Sequence, residues 1–211
     1  QLSKQWHPTK NKELTPFNIG KSSNKKVWWK CEEGDDHEWE TSVNSRKGGI
    51  NGCPICSGRK IVPSNCLATL NPQLSKQWHP TKNGDLKPYD IGLGYGKKVW
   101  WKCNKGDDHE WFISPFARKK SNCPVCRNLK VVHSNCLVTT NKEIADQWHP
   151  TLNGNLTPLE VTSGSEIKVW WKCDKGDDHE WMYSITHMAR GNGCPICSGR
   201  KIVPSNCLAT L

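Results

Sequence analysis

One pattern of cysteine and histidine residues occurs three times along the 211 residues and limits what the chain can fold into. In the first copy, five residues separate Cys31 from His37, and the turn Cys53-Pro54-Ile55-Cys56 follows. Cysteine and histidine ligands on two tight turns are typical of structural zinc sites, which are tetrahedral. We therefore predict three structural zinc ions, one per copy, bound by Cys31, His37, Cys53, Cys56, Cys103, His109, Cys123, Cys126, Cys173, His179, Cys194 and Cys197.

The copies belong to a longer repeat with a period of about 70 residues. Trp6 and Trp78 are 72 positions apart, and Trp78 and Trp148 are 70 apart. Residues 51–70 are identical to residues 192–211. We predict three tandem zinc modules that span residues 1–72, 73–142 and 143–211, and we call them modules 1, 2 and 3.

A module of this size needs more than an ordinary hydrophobic core, because a chain of about 70 residues buries little apolar surface. Only 35% of the residues are hydrophobic, but the chain has 12 tryptophans, four in each module. Metal and tryptophans together can supply the missing stability. The predicted fold class is small α+β, zinc-stabilised modules: three tandem zinc-ribbon or treble-clef-like repeats, each a β-hairpin plus short helices around one zinc ion.

The local signals place short elements around each site. Asn71-Pro72 predicts a helix with Asn at the N-cap and Pro at the first position, which His79-Pro80 ends. Val27-Trp28-Trp29 predicts a strand whose partner begins at Glu38, so that the first ligand pair lies at a hairpin tip. The segment between Trp39 and Cys53 differs most between modules, and a serine at its start predicts a helix of one to two turns.

Two ligand sets compete for each zinc ion. The preferred set uses the histidine of the Gly-Asp-Asp-His turn, and the rival set replaces it with Cys66, Cys136 or Cys207. We prefer histidine, because its turn returns to the hairpin, whereas Cys66 lies ten residues beyond Cys56 among apolar residues. A cysteine left over in this way is expected to be buried like a small hydrophobic residue. Disulfide bonds are a poor explanation of the pattern, because they give no reason for a histidine at a fixed spacing from the cysteines.

We expect no enzymatic activity from these sites. A catalytic zinc keeps one coordination position open for water and has a general base nearby, whereas four protein ligands close each predicted site. Glu38, Glu110 and Glu180 lie next to the ligand histidines, but we interpret them as surface charges. No phosphate-binding loop, nucleophile elbow or dinucleotide fingerprint occurs.

The net charge of +10 suggests a polyanionic partner such as nucleic acid. The charge is uneven. Module 1 has 11 Lys and Arg against 7 Asp and Glu, module 2 has 13 against 5, and module 3 has 6 against 8. The net charge of module 3 is therefore negative, whereas that of the other two modules is positive. The cysteine usage predicts a reducing, intracellular environment, and the start at Gln1 suggests a piece of a longer protein.

The motifs resemble a family of probable zinc-ribbon, or treble-clef-like, zinc-finger modules. Its members carry Trp-x-Cys, Gly-His-x-Trp and Gly-Cys-Pro-x-Cys after a Trp-His-Pro lead-in, and the resemblance covers nearly all of each module. This chain departs from the pattern by placing Asp35-Asp36 between Gly34 and His37. Family members often form tandem arrays, and related modules accompany endonuclease-like domains. The resemblance therefore implies a DNA-targeting role, with further repeats or a nuclease-like domain as candidates for the rest of the protein.

Our leading hypothesis is an array that binds nucleic acid, most simply double-stranded DNA, through the variable helix of each module. The residues expected at phosphates or base edges are Asn44, Ser45, Arg46, Lys47, Arg59, Lys60, Phe116, Arg118, Lys119, Lys120, Arg127, Lys130, Thr186, His187, Arg190, Arg200 and Lys201. Two alternatives stay open. One is binding of RNA or single strands by stacking on Trp28, Trp100 and Trp170, if these side chains are exposed rather than core. The other is a protein-interaction array centred on module 3.

Overall fold

The computed structural model describes residues 2–46 and 52–210. The strands are β1 Lys26–Lys30, β2 Glu38–Ser42, β3 Val99–Lys102, β4 Glu110–Ile113, β5 Lys168–Lys172 and β6 Glu180–Ser184. The α-helices are α1 Leu67–Leu70, α2 Pro72–Ser75, α3 Pro115–Arg118, α4 Leu137–Thr140, α5 Lys142–Ala145 and α6 Ile185–Ala189. Short 3-10 helices span Leu2–Gln5, Asn44–Arg46, Pro63–Asn65, His133–Asn135, Pro204–Asn206 and Leu208–Thr210.

Side-chain caps begin the helices where the sequence predicts them. The Asn71 side chain accepts a hydrogen bond from the backbone N–H of Leu74, and Pro72 occupies the first position of α2. Ser114 and Ser184 cap α3 and α6 in the same way. Because such a cap satisfies one of the free N–H groups of the first turn, it fixes where each helix begins. The predicted C-terminal end of this helix was too late in the sequence, since α2 ends at Ser75, before His79-Pro80.

Each consecutive pair of strands forms a two-stranded sheet. In modules 1 and 3 the pairing is antiparallel, with Trp29 opposite Trp39 and Trp171 opposite Trp181. A third chain segment joins the module 1 hairpin at Trp6, whose ring meets the Trp29 ring edge-on at a centroid distance of 5.6 Å. Such edge-to-face pairs stabilise a core beyond the area that they bury. The tryptophans thus form the predicted aromatic core.

The side chains of a histidine and an asparagine tie the lead-in segment to the hairpin. The Asn11 side chain accepts from the backbone N–H of Trp28 at 2.7 Å and donates to the Trp28 carbonyl at 2.9 Å. It therefore replaces a strand partner for that residue. The Nδ1 atom of the buried His7 accepts hydrogen bonds from two backbone N–H groups, and its Nε2 lies 2.9 Å from Glu38 Oε1. These contacts give His7 a structural role.

The chain divides into two compact units. The first contains Gln1–Lys102 with Phe112–Ser121, and the second contains Cys103–Trp111 with Asn122–Leu211. Within the second unit, Leu137 is fully buried in a core that includes Val161 and Trp171, although it precedes residue 143. The module boundaries stay predictions, but the segment before residue 143 packs in the core of module 3. No described helix is long and apolar enough to cross a membrane.

Candidate metal centres

Each module brings one histidine and three cysteines together at the tip of its hairpin. The ligand atoms of Cys31, His37, Cys53 and Cys56 all lie within 4.8 Å of one another, and both other modules repeat this arrangement. The Sγ atoms of Cys31 and Cys56 are 3.7 Å apart, and His37 Nδ1 lies 3.3 Å from Cys56 Sγ. Sulfur ligands about 2.3 Å from a tetrahedral zinc ion lie about 3.8 Å apart. The four side chains therefore fit a zinc ion, and Nδ1 is the histidine ligand atom.

Clustered thiols of this kind need a cation to become thiolates. Desolvation raises the pKa of the Cys56 thiol to about 12, and its contacts with Cys31 and Cys53 raise it too. A divalent cation reverses that balance, because it compensates the negative charge of three neighbouring thiolates. The Cys3His sites of the three modules thus suit three structural zinc ions.

The glycine at the start of the first ligand turn is required by the histidine ring. A Cβ atom on Gly34 would lie 2.7 Å from His37 Cδ2, and on Gly106 it would lie 2.6 Å from His109 Cδ2. Contacts this short do not occur for real side chains, so any larger residue would displace the ligand. The turn is closed by a hydrogen bond from the His37 backbone N–H to the Gly34 carbonyl.

The extra aspartate of this turn has a partner outside the ligand set. In module 2, Asp108 accepts from the Ser134 backbone N–H at 2.8 Å and from Ser134 Oγ at 2.7 Å. His109 Nε2 lies 3.2 Å from the same Ser134 Oγ. Histidine ligands commonly donate their second N–H to such a partner, which fixes the tautomer that presents the other nitrogen to the metal. The hydrogen bonds of Ser134 also hold the pKa of Asp108 below its usual value.

The rival cysteines lie outside the metal sites. Cys66 and Cys136 are fully buried, and each Sγ hydrogen-bonds within its own turn, to the Pro63 and His133 carbonyls respectively. Cys207 Sγ lies 3.5 Å from the Pro204 carbonyl. All twelve cysteines lie within the described residues, and none of them forms a disulfide. The structure therefore groups the histidine, and not the fourth cysteine, with the other three cysteines of each module.

Two of the arginines predicted to contact nucleic acid are buried instead. Arg46 is 3% exposed and Arg118 is 7% exposed. The Arg46 guanidinium lies 4.9 Å from the Trp29 ring centroid and 5.0 Å from that of Trp39, and it donates to Gln5 Oε1. Arg118 donates to Gln77 Oε1 at 2.6 Å. The prediction was wrong for both residues, because the fourth position after the serine is buried rather than exposed.

The other predicted contact residues vary in exposure. Those with exposed side chains are Asn44, Ser45, Arg59, Lys60, Phe116, Lys119, Lys120, Arg127, Lys130, Arg190, Arg200 and Lys201. Thr186 and His187 are half-buried, and the His187 ring packs against Tyr183 at a centroid distance of 4.4 Å. Lys47 lies outside the described residues.

The tryptophans on the outer face of the hairpins are half-buried rather than fully exposed. Lys10 Nζ lies 4.7 Å from the ring centroid of Trp28, and Lys82 Nζ lies 4.8 Å from that of Trp100. In module 3 the sequence position of these lysines is taken by Leu152, which is 48% exposed. A cation therefore lies over the outer tryptophan in modules 1 and 2, whereas module 3 has an aliphatic residue at the position of that cation.

Comparison with known proteins identifies the family of these modules. A family model described as a probable treble clef zinc finger domain matches residues 2–59, 74–129 and 144–200. Each matched segment contains one of the three Cys3His groups. No curated protein sequence matches the chain.

Proposed function

The chain belongs to the probable treble clef zinc finger family, and from that premise we propose that it is a non-catalytic array that binds nucleic acid, most simply double-stranded DNA, in a reducing intracellular compartment. The zinc ions have a structural role in this proposal, since three cysteines and one histidine fill a tetrahedral site and leave no position for a substrate or reactive water. The partner is then recognised by the surface that the zinc sites hold in place.

The observation that carries the proposal is a basic strip that follows the second ligand turn of every module. Its exposed members are Arg59, Lys60, Arg127, Lys130, Arg200 and Lys201. The lysines are positioned rather than free to move, because Lys60 Nζ donates to the Glu38 carbonyl at 3.0 Å and Lys130 Nζ to the Glu110 carbonyl at 2.7 Å. Lysines held at the same place beside the hairpin in these two modules suit contacts with phosphate groups.

A groove within the first compact unit extends this basic strip. Its polar lining includes Arg59, Tyr95 and the exposed Lys119, with the carboxylate of Asp90. Its apolar lining includes Ile61 and Ile91. Two cations beside an aromatic ring suit a phosphate and its sugar, so we assign this groove to the backbone of the bound strand. The comparable groove in the second unit contains Arg127, but it has Ser165 in place of the tyrosine.

The variable helices contribute less to recognition than the sequence alone suggested. With Arg46 and Arg118 in the core, the exposed candidates there are Asn44, Ser45, Phe116, Lys119, Lys120 and Arg190. Lysines contact phosphates as point charges, whereas arginine makes the bidentate contact that reads guanine. We therefore propose binding dominated by backbone contacts, with little discrimination between sequences.

Protein interaction is the second candidate, and a specific feature of module 3 favours it. In its hairpin Met182 is 47% exposed and lies opposite Trp170, and in its lead-in segment Leu152 is 48% exposed. This module also has the net negative charge. An aromatic and aliphatic surface of this kind is typical of the centre of a protein interface. Stacking of single-stranded bases is less favoured, because lysines cover Trp28 and Trp100.

A salt titration tests the proposed function. The affinity of the zinc-loaded protein is measured for random duplex DNA, single-stranded DNA and RNA over a range of salt concentrations. Neutralised phosphates release counterions, so log K for duplex DNA should fall linearly with log salt concentration by about 0.9 per phosphate contacted. Preference for single strands would favour stacking. Equal weakness on all three ligands, with no slope, would rule out the nucleic-acid proposal and leave protein interaction.

A further inference from the structure

The segment that leads from each metal centre to the next module is held by the metal centre itself. We call residues 62–71 and 132–141 the handover segments. In the second, Ser134 forms hydrogen bonds with Asp108 of the first ligand turn and lies 3.2 Å from Nε2 of the ligand His109. One hydroxyl group thus joins the metal ligand to the handover segment.

The second ligand turn holds the same segment through the neighbouring residue. Asn135 Nδ2 donates to the Val125 carbonyl at 3.2 Å, and Val125 lies between the ligands Cys123 and Cys126. In the first handover segment, Asn65 Nδ2 donates to the Ile55 carbonyl at 2.9 Å. The two zinc-binding turns of a module therefore contact its handover segment at two consecutive residues, a serine and an asparagine.

Two residues later the chain enters the core of the next module. Leu137 is fully buried with Val161 and Trp171, and its backbone N–H donates to the Val161 carbonyl at 2.8 Å. Leu67 is also fully buried, and its N–H donates to the Ile91 carbonyl at 2.7 Å. Since only Cys136 and Cys66 separate these leucines from the asparagines, a shift of the ligand turns must move a buried anchor of the next module.

The third metal centre provides a contrast within the same chain. Ser205 makes the same two hydrogen bonds with Asp178, at 2.9 and 2.6 Å, but the following Leu208 is 88% exposed. The contact between aspartate and serine therefore forms without a buried leucine beyond it. It belongs to the metal centre and is not a consequence of docking.

We propose that zinc binding in one module and packing of the next module are coupled through the handover segment, so that a zinc ion stabilises two modules rather than one. The ligand turns fix the serine and asparagine, which place Leu67 or Leu137 for burial. Coupling of this kind is reciprocal, so zinc binding at neighbouring centres is cooperative. The coupling does not depend on what the array binds.

Amide hydrogen exchange in the zinc-loaded chain of 211 residues tests the proposal, with the Leu137 N–H as the reporter. Ser134→Ala removes the hydroxyl group but no metal ligand, and Cys126→Ser removes a ligand of the same centre. We expect at least tenfold faster exchange at Leu137 in both variants. Ser205→Ala is the matched control at the third centre, and it should leave Leu137 unchanged.

Native mass spectrometry counts the zinc ions in each variant. If Ser134→Ala keeps three ions and Leu137 exchanges faster, the hydroxyl group transmits the coupling as proposed. If that variant loses an ion, Leu137 must still lose protection, because the ligand turns then no longer hold residues 134 and 135. Wild-type exchange at Leu137 in either Ser134→Ala or Cys126→Ser would overturn the proposal, whatever the zinc count.

Discussion

Modules 2 and 3 each have a metal centre and a hairpin of the same kind, but side chains of different chemistry fill the space beneath their variable helices. In module 2 the fourth position after the serine cap is Arg118, 7% exposed, and in module 3 it is Met188, 2% exposed. Gln77 accepts a hydrogen bond from Arg118, whereas Gln147 at the matching position donates to the Glu143 carbonyl. The same backbone thus tolerates either a paired cation or a thioether in the core.

The comparison shows that variation between repeats does not always mark a recognition surface. The segment between Trp111 and Cys123 differs from its counterparts partly because its inward side chain differs. A buried charge needs partners, and Arg118 has Gln77 and the Ser121 carbonyl. Methionine needs none, which leaves Gln147 to bond within its own turn.

Loss of a zinc ligand should have the largest effect, and the effect should be the same in both modules, because their metal centres are alike. Cys123→Ser and Cys194→Ser should each reduce the zinc content from three ions to two and unfold the affected module. Structural zinc contributes about 10 kcal/mol or more to folding of such units. Native mass spectrometry and near-ultraviolet circular dichroism measure both effects. Cys136→Ser is the control and should retain three ions, since Cys136 lies outside the metal site.

An exchange of the two inward side chains should have unequal effects. Met188→Arg should destabilise the protein by about 1–3 kcal/mol, because it places a larger charged group in a filled core. Arg118→Met should cost less than about 1 kcal/mol, since it removes a buried charge and Gln77 can then bond within its own turn, as Gln147 does in module 3. Denaturant unfolding of the zinc-loaded variants measures both. Equal costs would mean that the two cores are interchangeable.

The glutamines offer a smaller test of the same difference. Gln77→Ala should cost about 1–3 kcal/mol, because it removes a hydrogen-bond acceptor from a buried guanidinium group. Gln147→Ala should change stability by less than about 0.5 kcal/mol, since its bond to the Glu143 carbonyl is exposed. The same denaturant experiment applies. A cost for Gln147→Ala as large as for Gln77→Ala would contradict the proposed role of Gln77.

The smallest expected effect concerns the surface beside these positions. Lys119 in module 2 corresponds to Ala189 in module 3. Lys119→Ala should weaken duplex binding several-fold and lower the salt slope by about 0.9, because one phosphate contact is lost. Ala189→Lys should instead strengthen duplex binding, as measured in an affinity titration at a fixed salt concentration. No change in slope for Lys119→Ala would remove the groove beside Tyr95 from the proposed interface.

The metal centres could be predicted from the sequence because their chemistry is local. Cys31 and His37 lie on one turn, Cys53 and Cys56 on another, and zinc chemistry joins the two. The caps at Asn71, Ser114 and Ser184 are equally local, since a side chain bonds to a backbone group three residues away. These features depend on neighbouring residues rather than on the tertiary fold.

Long-range features could not be predicted in the same way. Arginine is almost never fully buried without partners, so nothing local places Arg46 against Trp29 and Trp39. The one available signal was Met188 at the equivalent position of module 3. The partner of Asp108 is 26 residues away at Ser134, and only the folded chain shows that this aspartate supports the metal ligand.

Zinc K-edge X-ray absorption of the fully loaded protein tests the central claim most directly, namely that each module is built on a Cys3His zinc site. The expected average environment is three sulfur ligands at about 2.3 Å and one nitrogen ligand at about 2.0–2.1 Å. The spectrum should be unchanged in the Cys66→Ala, Cys136→Ala and Cys207→Ala triple variant. Four sulfur ligands per zinc, or the loss of a sulfur ligand in that variant, would contradict the account.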